Sequence, residues 1–152
     1  MAETPDETLK ELLSSGSQLP PSELNAKLRL LWPLLHGPQR NHDATALVTL
    51  FRHAGYVSDG LPFPNGDLTV YRGELVSSRK PGISWTTDAE VAKQYARGYA
   101  TAGNTRVLQA TAQSAAILAR FNQEAEVVVA PELLSSLENL GGFPHFKLPL
   151  LM

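Results

Sequence analysis

Glu124 and Glu126 stand one residue apart at the entry to the run Val127-Val128-Val129-Ala130-Pro131. In an extended chain residues i and i+2 project to the same side, so both carboxylates face one site unless the turn ahead of the strand re-aims the first. Two negative charges on one strand face point to a cation or a substrate that holds them. The competing reading is a solvated polar loop. Two further patterns carry usable chemistry. Tyr71-Arg72-Gly73 puts a guanidinium at a strand end beside a glycine that lets a ligand approach the backbone. The planar fork of arginine matches two phosphate oxygens, or it pairs with a surface carboxylate. Ser84-Trp85-Thr86-Thr87 puts hydroxyls just ahead of a helix. Alternation sets Ser84 and Thr86 on one face and Trp85 on the other. Such hydroxyls hold a carboxylate or a ribose; alternatively Thr87 caps the helix and Ser84 satisfies neighbouring backbone.

These residues need elements to position them. The first third of the chain reads as helical. Thr4-Pro5-Asp6-Glu7 has a cap, a proline at the first helical position and Glu three residues after the cap, followed by Leu9, Leu12 and Leu13. Gln18-Leu19-Pro20-Pro21 reads as a linker, with Ser22 capping a second helix. Leu24, Leu28, Leu31 and Leu35 form its buried face, and Pro33 kinks or ends it near Trp32. Gly37-Pro38 closes the segment. Asn41 or Asp43 caps a third helix, with Leu47, Leu50, Phe51 and Ala54 inward and Gly55 as its stop.

After Asp59 the pattern changes to loop and strand. Strands are expected over 68–72, 82–86, 106–111 and 126–129. Thr87-Asp88-Ala89-Glu90 reads as a capping box, and Val91, Tyr95 and Tyr99 continue a helix. The apolar piece 116–121 fits either helix or strand. Leu133, Leu134, Leu137 and Leu140 predict a short helix stopped by Gly141-Gly142. The tail from Phe143 predicts an edge strand limited by Pro144 and Pro149. The expected class is α+β: a helical layer over 1–58 on a mainly antiparallel β-rich part over 67–152, within one domain.

Composition sets outer bounds. The chain has 152 residues, 43% apolar and 18% charged, with a net charge of −2. That balance argues against a dedicated nucleic-acid binder or a partner in an anionic membrane. The absence of cysteine excludes a disulfide scaffold, a thiolate nucleophile and a thiolate zinc site. His36, His42, His53 and His145 show no ligand spacing, so no metal site is expected and none is given a role. No apolar run approaches a membrane span and the acidic N-terminus is not a secretory signal, so the expectation is a soluble cytoplasmic protein, or one exported by a route that leaves no cleavable signal.

An arginine, then a hydroxyl strand, then a Glu-x-Glu strand entry resembles, in that order, the mono-ADP-ribosyltransferase family of the arginine–serine–glutamate type. The resemblance covers residues 68–131 and leaves out the first third. Each part is short, so its specificity lies in the order. One departure is Trp85, where the family has the middle threonine of Ser-Thr-Ser; its side chain is expected to face away from the site. The resemblance implies a β-sandwich of ADP-ribosyltransferase type that takes NAD as co-substrate and passes ADP-ribose to a side chain of a protein acceptor. It implies Glu126 as the central carboxylate at the ribose, Ser84 holding it, and Glu124 orienting an arginine acceptor. Arg72, Gly73, Ser84 and Thr86 would bind the dinucleotide. It also sets Tyr95 or Tyr99 against the nicotinamide ring, with helix packing as the competing reading. Other outcomes of the same pattern are an NAD glycohydrolase, or a binding or effector protein that keeps the shape and has weak turnover; the compact size and absent signal fit an accessory protein of a phage or bacterium.

Overall fold

A computed structural model describes residues 3–35, 43–78 and 82–146. The cap candidate Asn41, Gly37-Pro38, His36, His42 and the end of the tail lie outside the described residues.

Helix α1 spans Pro5–Ser15, and Thr4 caps it by accepting the Glu7 N–H at 3.2 Å. Helix α2 spans Pro21–Leu31. Its cap position is Pro20 and not Ser22 as expected, and part of the expected linker is a 3-10 turn over Gly16–Gln18. Pro21 has the fixed φ and missing donor that suit a first helical position, so the helix starts ahead of the serine. Pro33 ends α2 where expected, in a 3-10 turn over Trp32–Leu34. Helix α3 spans Ala44–Ala54, capped by Asp43 and stopped by Gly55 at φ 77°. Asn25 ties α2 to the end of α3, donating to the carbonyls of Ala54 and Tyr56.

The strands are β1 (Val57–Ser58), β2 (Leu68–Leu75), β3 (Ser84–Thr86), β4 (Thr105–Ala112), β5 (Ile117–Phe121), β6 (Glu126–Val129) and β7 (Ser135–Asn139). They join edge to edge in the order β1-β5-β6-β3-β2-β4-β7. Among the described residues only β1 and β5 run parallel; the other neighbours are antiparallel. The strands form one linked seven-stranded sheet. Its two halves meet at a single registered pair, Tyr71 with Thr86. Helix α4 (Ala89–Tyr99) lies against β2 and β4.

Two expectations are corrected. The segment 133–140 is not a helix: a 3-10 turn over Pro131–Leu133 leads into β7 on the open edge of β4. Of its leucines Leu134 packs on the second core cluster, whereas Leu133, Leu137 and Leu140 are exposed. Ser135, Ser136 and Asn139 are poor helix formers, and β4 offers unpaired backbone groups. The described tail 143–146 is not a regular strand either, although the Thr105 N–H donates to the Phe143 carbonyl and the Phe146 N–H donates to the Ala100 carbonyl. The ambiguous piece 116–121 resolves into β5, with Ala116 closing a 3-10 turn ahead of it.

The helices pack α2 and α3 onto β5 and β6, where Leu24, Leu28, Trp32 and Phe51 share a buried cluster with Phe121 and Val128. Helical layer and sheet therefore have a common core. A second cluster around Val70, Trp85, Val127 and Val129 fills the other side of those strands. Burying each such aliphatic side chain contributes about 1.5–3 kcal/mol.

Gly73 is fixed by a close approach. A Cβ there would lie 2.1 Å from the Ala92 carbonyl oxygen and 2.7 Å from the Ala96 nitrogen. These are backbone atoms of α4 and cannot swing aside. Gly73→Ala is expected to cost at least the ~1–3 kcal/mol typical of overpacking, read as a lower urea midpoint. Tyr56 supplies a pH test. Burial raises its phenol pKa, partly opposed by Arg120. The folded state then holds this proton more tightly than the unfolded chain does. Its full contribution is present below the unfolded tyrosine value, near 10, and is lost as pH rises through the folded value. Tyr56→Phe should flatten the decline of stability above that pH, measured by thermal melting across the alkaline range.

Candidate functional site

The cleft lies where the two halves of the sheet meet, under α4. Its walls are Tyr71, Arg72 and Gly73 of β2, Ser84 and Thr86 of β3, Val91, Tyr95 and Tyr99 of α4, and Glu124 with Glu126 at the entry to β6. The antiparallel register of β3 with β6 sets Thr86 opposite Glu126 and Ser84 opposite Val128, so all four project to one face. The enclosed part is small, about 40 Å³. A larger ligand must put its reacting end inside and lay the rest across the mouth.

Glu126 is the buried acid of this cleft, 3% exposed. Ser84 Oγ donates to its Oε2 at 2.5 Å, and the indole Nε1 of Trp32 donates to the same oxygen at 2.9 Å. Glu124 is exposed and sits differently. It is not extended: it lies in a 3-10 turn with φ 57° and ψ 20°, followed by Ala125 at φ 47°. The turn re-aims the first carboxylate, so the shared strand face is not what brings the two acids together. Two backbone links hold the turn instead. Thr86 Oγ1 donates to the Glu124 carbonyl at 2.8 Å, and the Thr87 N–H donates to the Ala125 carbonyl at 3.1 Å. The Glu124 carboxylate then accepts from the Tyr95 hydroxyl at 2.5 Å.

Thr86 has a second task. Its Oγ1 accepts the Asp88 N–H at 3.0 Å, and Asp88, not Thr87, caps α4 by accepting the Glu90 N–H. The expected capping box does not form: the cap moves one residue on to Asp88, with Val91 at the third helical position, and the Thr87 N–H is committed to the Ala125 carbonyl. Tyr95 and Tyr99 stack on each other along the cleft wall, with centroids 6.2 Å apart.

Arg72 lines the cleft, but its guanidinium is already engaged. Tyr71 pairs with Thr86, so alternation sends Arg72 to the opposite side of β2, over Leu108. From there Nη1 donates to the Ser84 carbonyl at 2.8 Å and Nε to Glu74 Oε1 at 3.0 Å. Glu74 is 2% exposed, and its other oxygen takes Arg106 at 2.6 Å and 3.0 Å. One buried carboxylate so holds two arginines, which leaves a surplus positive charge on that side of β2. Arg72 clamps the backbone of the residue that holds Glu126.

The structure therefore gathers Arg72, Gly73, Ser84, Thr86, Tyr95, Glu124 and Glu126 around one cleft. The role expected of Gly73 changes: the space over it is filled by α4, not left for a ligand. Trp85 faces away as expected, buried in the second cluster with its indole donating to the Gly82 carbonyl at 2.9 Å. Sequence reasoning missed Trp32 and the Glu74–Arg106 pair. A tryptophan fixed by a following proline in an apolar helix end signals a buried ring whose N–H must find an acceptor; the identity of that acceptor, 94 residues away, is a matter of packing. His53 bonds the Leu19 carbonyl and His145 contacts the Thr101 carbonyl, both away from the cleft. Among the described residues no group of three or more His, Cys, Asp or Glu is placed to hold a metal, and no helix is long and apolar enough to cross a membrane. Comparison with protein-family models, curated proteins and solved structures gives no match.

Removing the Arg72 guanidinium takes two hydrogen bonds with it and leaves Glu74 with one arginine. Arg72→Ala should lower the unfolding free energy by about 1.5–3 kcal/mol, the range for bonds to a charged group. Arg72→Lys should recover only part of this, since an ammonium cannot serve both acceptors in the plane of the fork. Urea titration of the three proteins checks the order.

Proposed function

We propose that the protein is an NAD-dependent mono-ADP-ribosyltransferase that cleaves the nicotinamide–ribose bond and passes ADP-ribose to a protein side chain, arginine being the acceptor that Glu124 suits. The observation that carries this reading is the buried Glu126 carboxylate, held by Ser84 in a cleft that also presents Arg72 and a second, exposed carboxylate on a turn. Glu126 supplies a fixed anion next to the ribose. As the C1′–N bond breaks, its electron pair goes to the nicotinamide nitrogen and cancels the pyridinium charge. The ribose carbon takes on cationic character, which the carboxylate stabilises by electrostatics that need no reorganisation. A lone pair of the acceptor nitrogen forms the new bond to C1′, and the proton it loses passes to Glu124 or to water. Tyr95 aims Glu124 by donating to it. The small enclosed volume takes the reacting sugar, and the rest of the dinucleotide lies across the mouth.

Water competes for the same carbon, because Glu124 stands exposed at the open side of the cleft. NAD glycohydrolase activity is therefore the second reading. Incubation with NAD labelled in the ADP-ribose part separates the cases. Label on an arginine of an added protein supports the transferase; free nicotinamide without protein label supports the hydrolase. No NAD loss sinks both and leaves a binding protein. Glu126→Gln is expected to lower both reactions about a hundredfold or more. Glu124→Gln should depress arginine labelling more than nicotinamide release, measured side by side by scintillation and chromatography. Equal depression would remove Glu124 from its role at the acceptor.

A further inference from the structure

We propose that Trp32 is a positioning residue for Glu126, so that the N-terminal helical layer forms part of the site. The indole Nε1 donates to Glu126 Oε2 at 2.9 Å, on the same oxygen that takes Ser84 Oγ at 2.5 Å. The two donors come from different parts of the chain, one from the sheet and one from the end of α2. A carboxylate turns easily about its last torsion, which has no sharp staggered wells. Two donors on one oxygen remove that freedom and leave the acid in a single pose. Both ends of the indole bond are buried: Trp32 is 0% exposed and Glu126 is 3% exposed.

The indole cannot drift. Its ring meets Phe51 of α3 edge-on, with centroids 5.0 Å apart and an interplanar angle of 83°. Its backbone opens the short 3-10 turn that Pro33 enforces at the end of α2. Tryptophan is suited to this place, as a rigid donor that has no acceptor capacity and no charge of its own. Among the described residues, the ionisable groups that share the cleft with Glu126 are Tyr71 and Arg72 from β2, Tyr95 and Tyr99 from α4 and Glu124 from the turn; Ser84, Phe51 and Phe121 beside it are neutral. Trp32 is thus the donor through which the helical layer acts on the acid without adding a charge.

The consequence for turnover rests on the proposed function, whereas the hold on the carboxylate does not. The test has one arm for each. In the first, the full chain is labelled with nitrogen-15 and the indole signals of Trp32 and Trp85 are compared between the wild type and Glu126→Gln at neutral pH. The Trp32 signal is expected to shift, because its acceptor changes from a carboxylate to an amide. The Trp85 signal, bonded to the Gly82 carbonyl, should stay in place and serves as the reference. An unmoved Trp32 signal overturns the proposal.

In the second arm Trp32→Phe keeps an aromatic ring and removes the donor. NAD cleavage by this variant should fall about tenfold in kcat with little change in KM, and the acid limb of its pH profile should move up by about one unit, the size expected for loss of one bond to a charged group. Phe51→Leu disturbs the same packing but leaves the donor, so its acid limb should stay where the wild type has it. A Trp32→Phe profile equal to the wild type overturns the proposal, as does a Phe51→Leu profile shifted equally. If Trp32→Phe does not fold, the indole comparison decides. If the wild type cleaves no NAD, the proposed function fails and the indole comparison still settles whether Trp32 holds Glu126.

Discussion

A buried carboxylate needs donors to replace the water it has lost. Glu126 receives them from a serine on β3 and from an indole 94 residues earlier in the chain. Much of the architecture serves that meeting. Pro33 ends α2 at the position that turns Trp32 inward, Phe51 of α3 braces the ring, and the β3–β6 register puts Ser84 on the face of Glu126. The helical layer is therefore more than a cover for apolar strands. It brings one of the groups that bond the acid, and burial of its apolar stripes against β5 and β6 gives helices and sheet a common core.

The second buried acid works the other way. Glu74 binds two arginines, and through Arg72 it fixes the backbone of Ser84. Ser84 is thus gripped from two sides, by a guanidinium at its carbonyl and by a carboxylate at its hydroxyl. Buried ion groups of this kind contribute little net stability compared with well-packed apolar residues, and breaking one is costly. Their benefit here is position: the chain Glu74–Arg72–Ser84–Glu126 runs from one half of the sheet to the other.

The sequence displayed the helical stripes plainly, because Leu24, Leu28, Leu31 and Leu35 repeat at the helical period and all end up buried. The site residues were also visible as types in order, and they do line one cleft. What could not be read was the means of gathering them. Glu124 and Glu126 look like a strand pair, yet a left-handed turn separates them. That turn depends on two long-range links to Thr86 and Thr87. Beside these links the helix cap falls on Asp88 and not on Thr87. The segment after Pro131 failed for a related reason: its leucines have helical spacing, but a vacant sheet edge outweighed weak local preference. Arg72 was legible as a cation near the cleft and illegible as a clamp, since its partner Glu74 in turn binds a residue 32 positions away.

The seam between the halves of the sheet has a mechanical consequence. Tyr71 and Thr86 form its single registered rung, reinforced by the reach of Arg72 to the Ser84 carbonyl. Elsewhere β2 is zipped to β4 over eight rungs, and β3 is fully paired with β6. The backbone ladder is therefore thin at one line, with the acids beside it, and the buried cluster of Val70, Leu108, Trp85 and Val127 spans the same line. What joins the two ladders there is side-chain packing more than backbone hydrogen bonds.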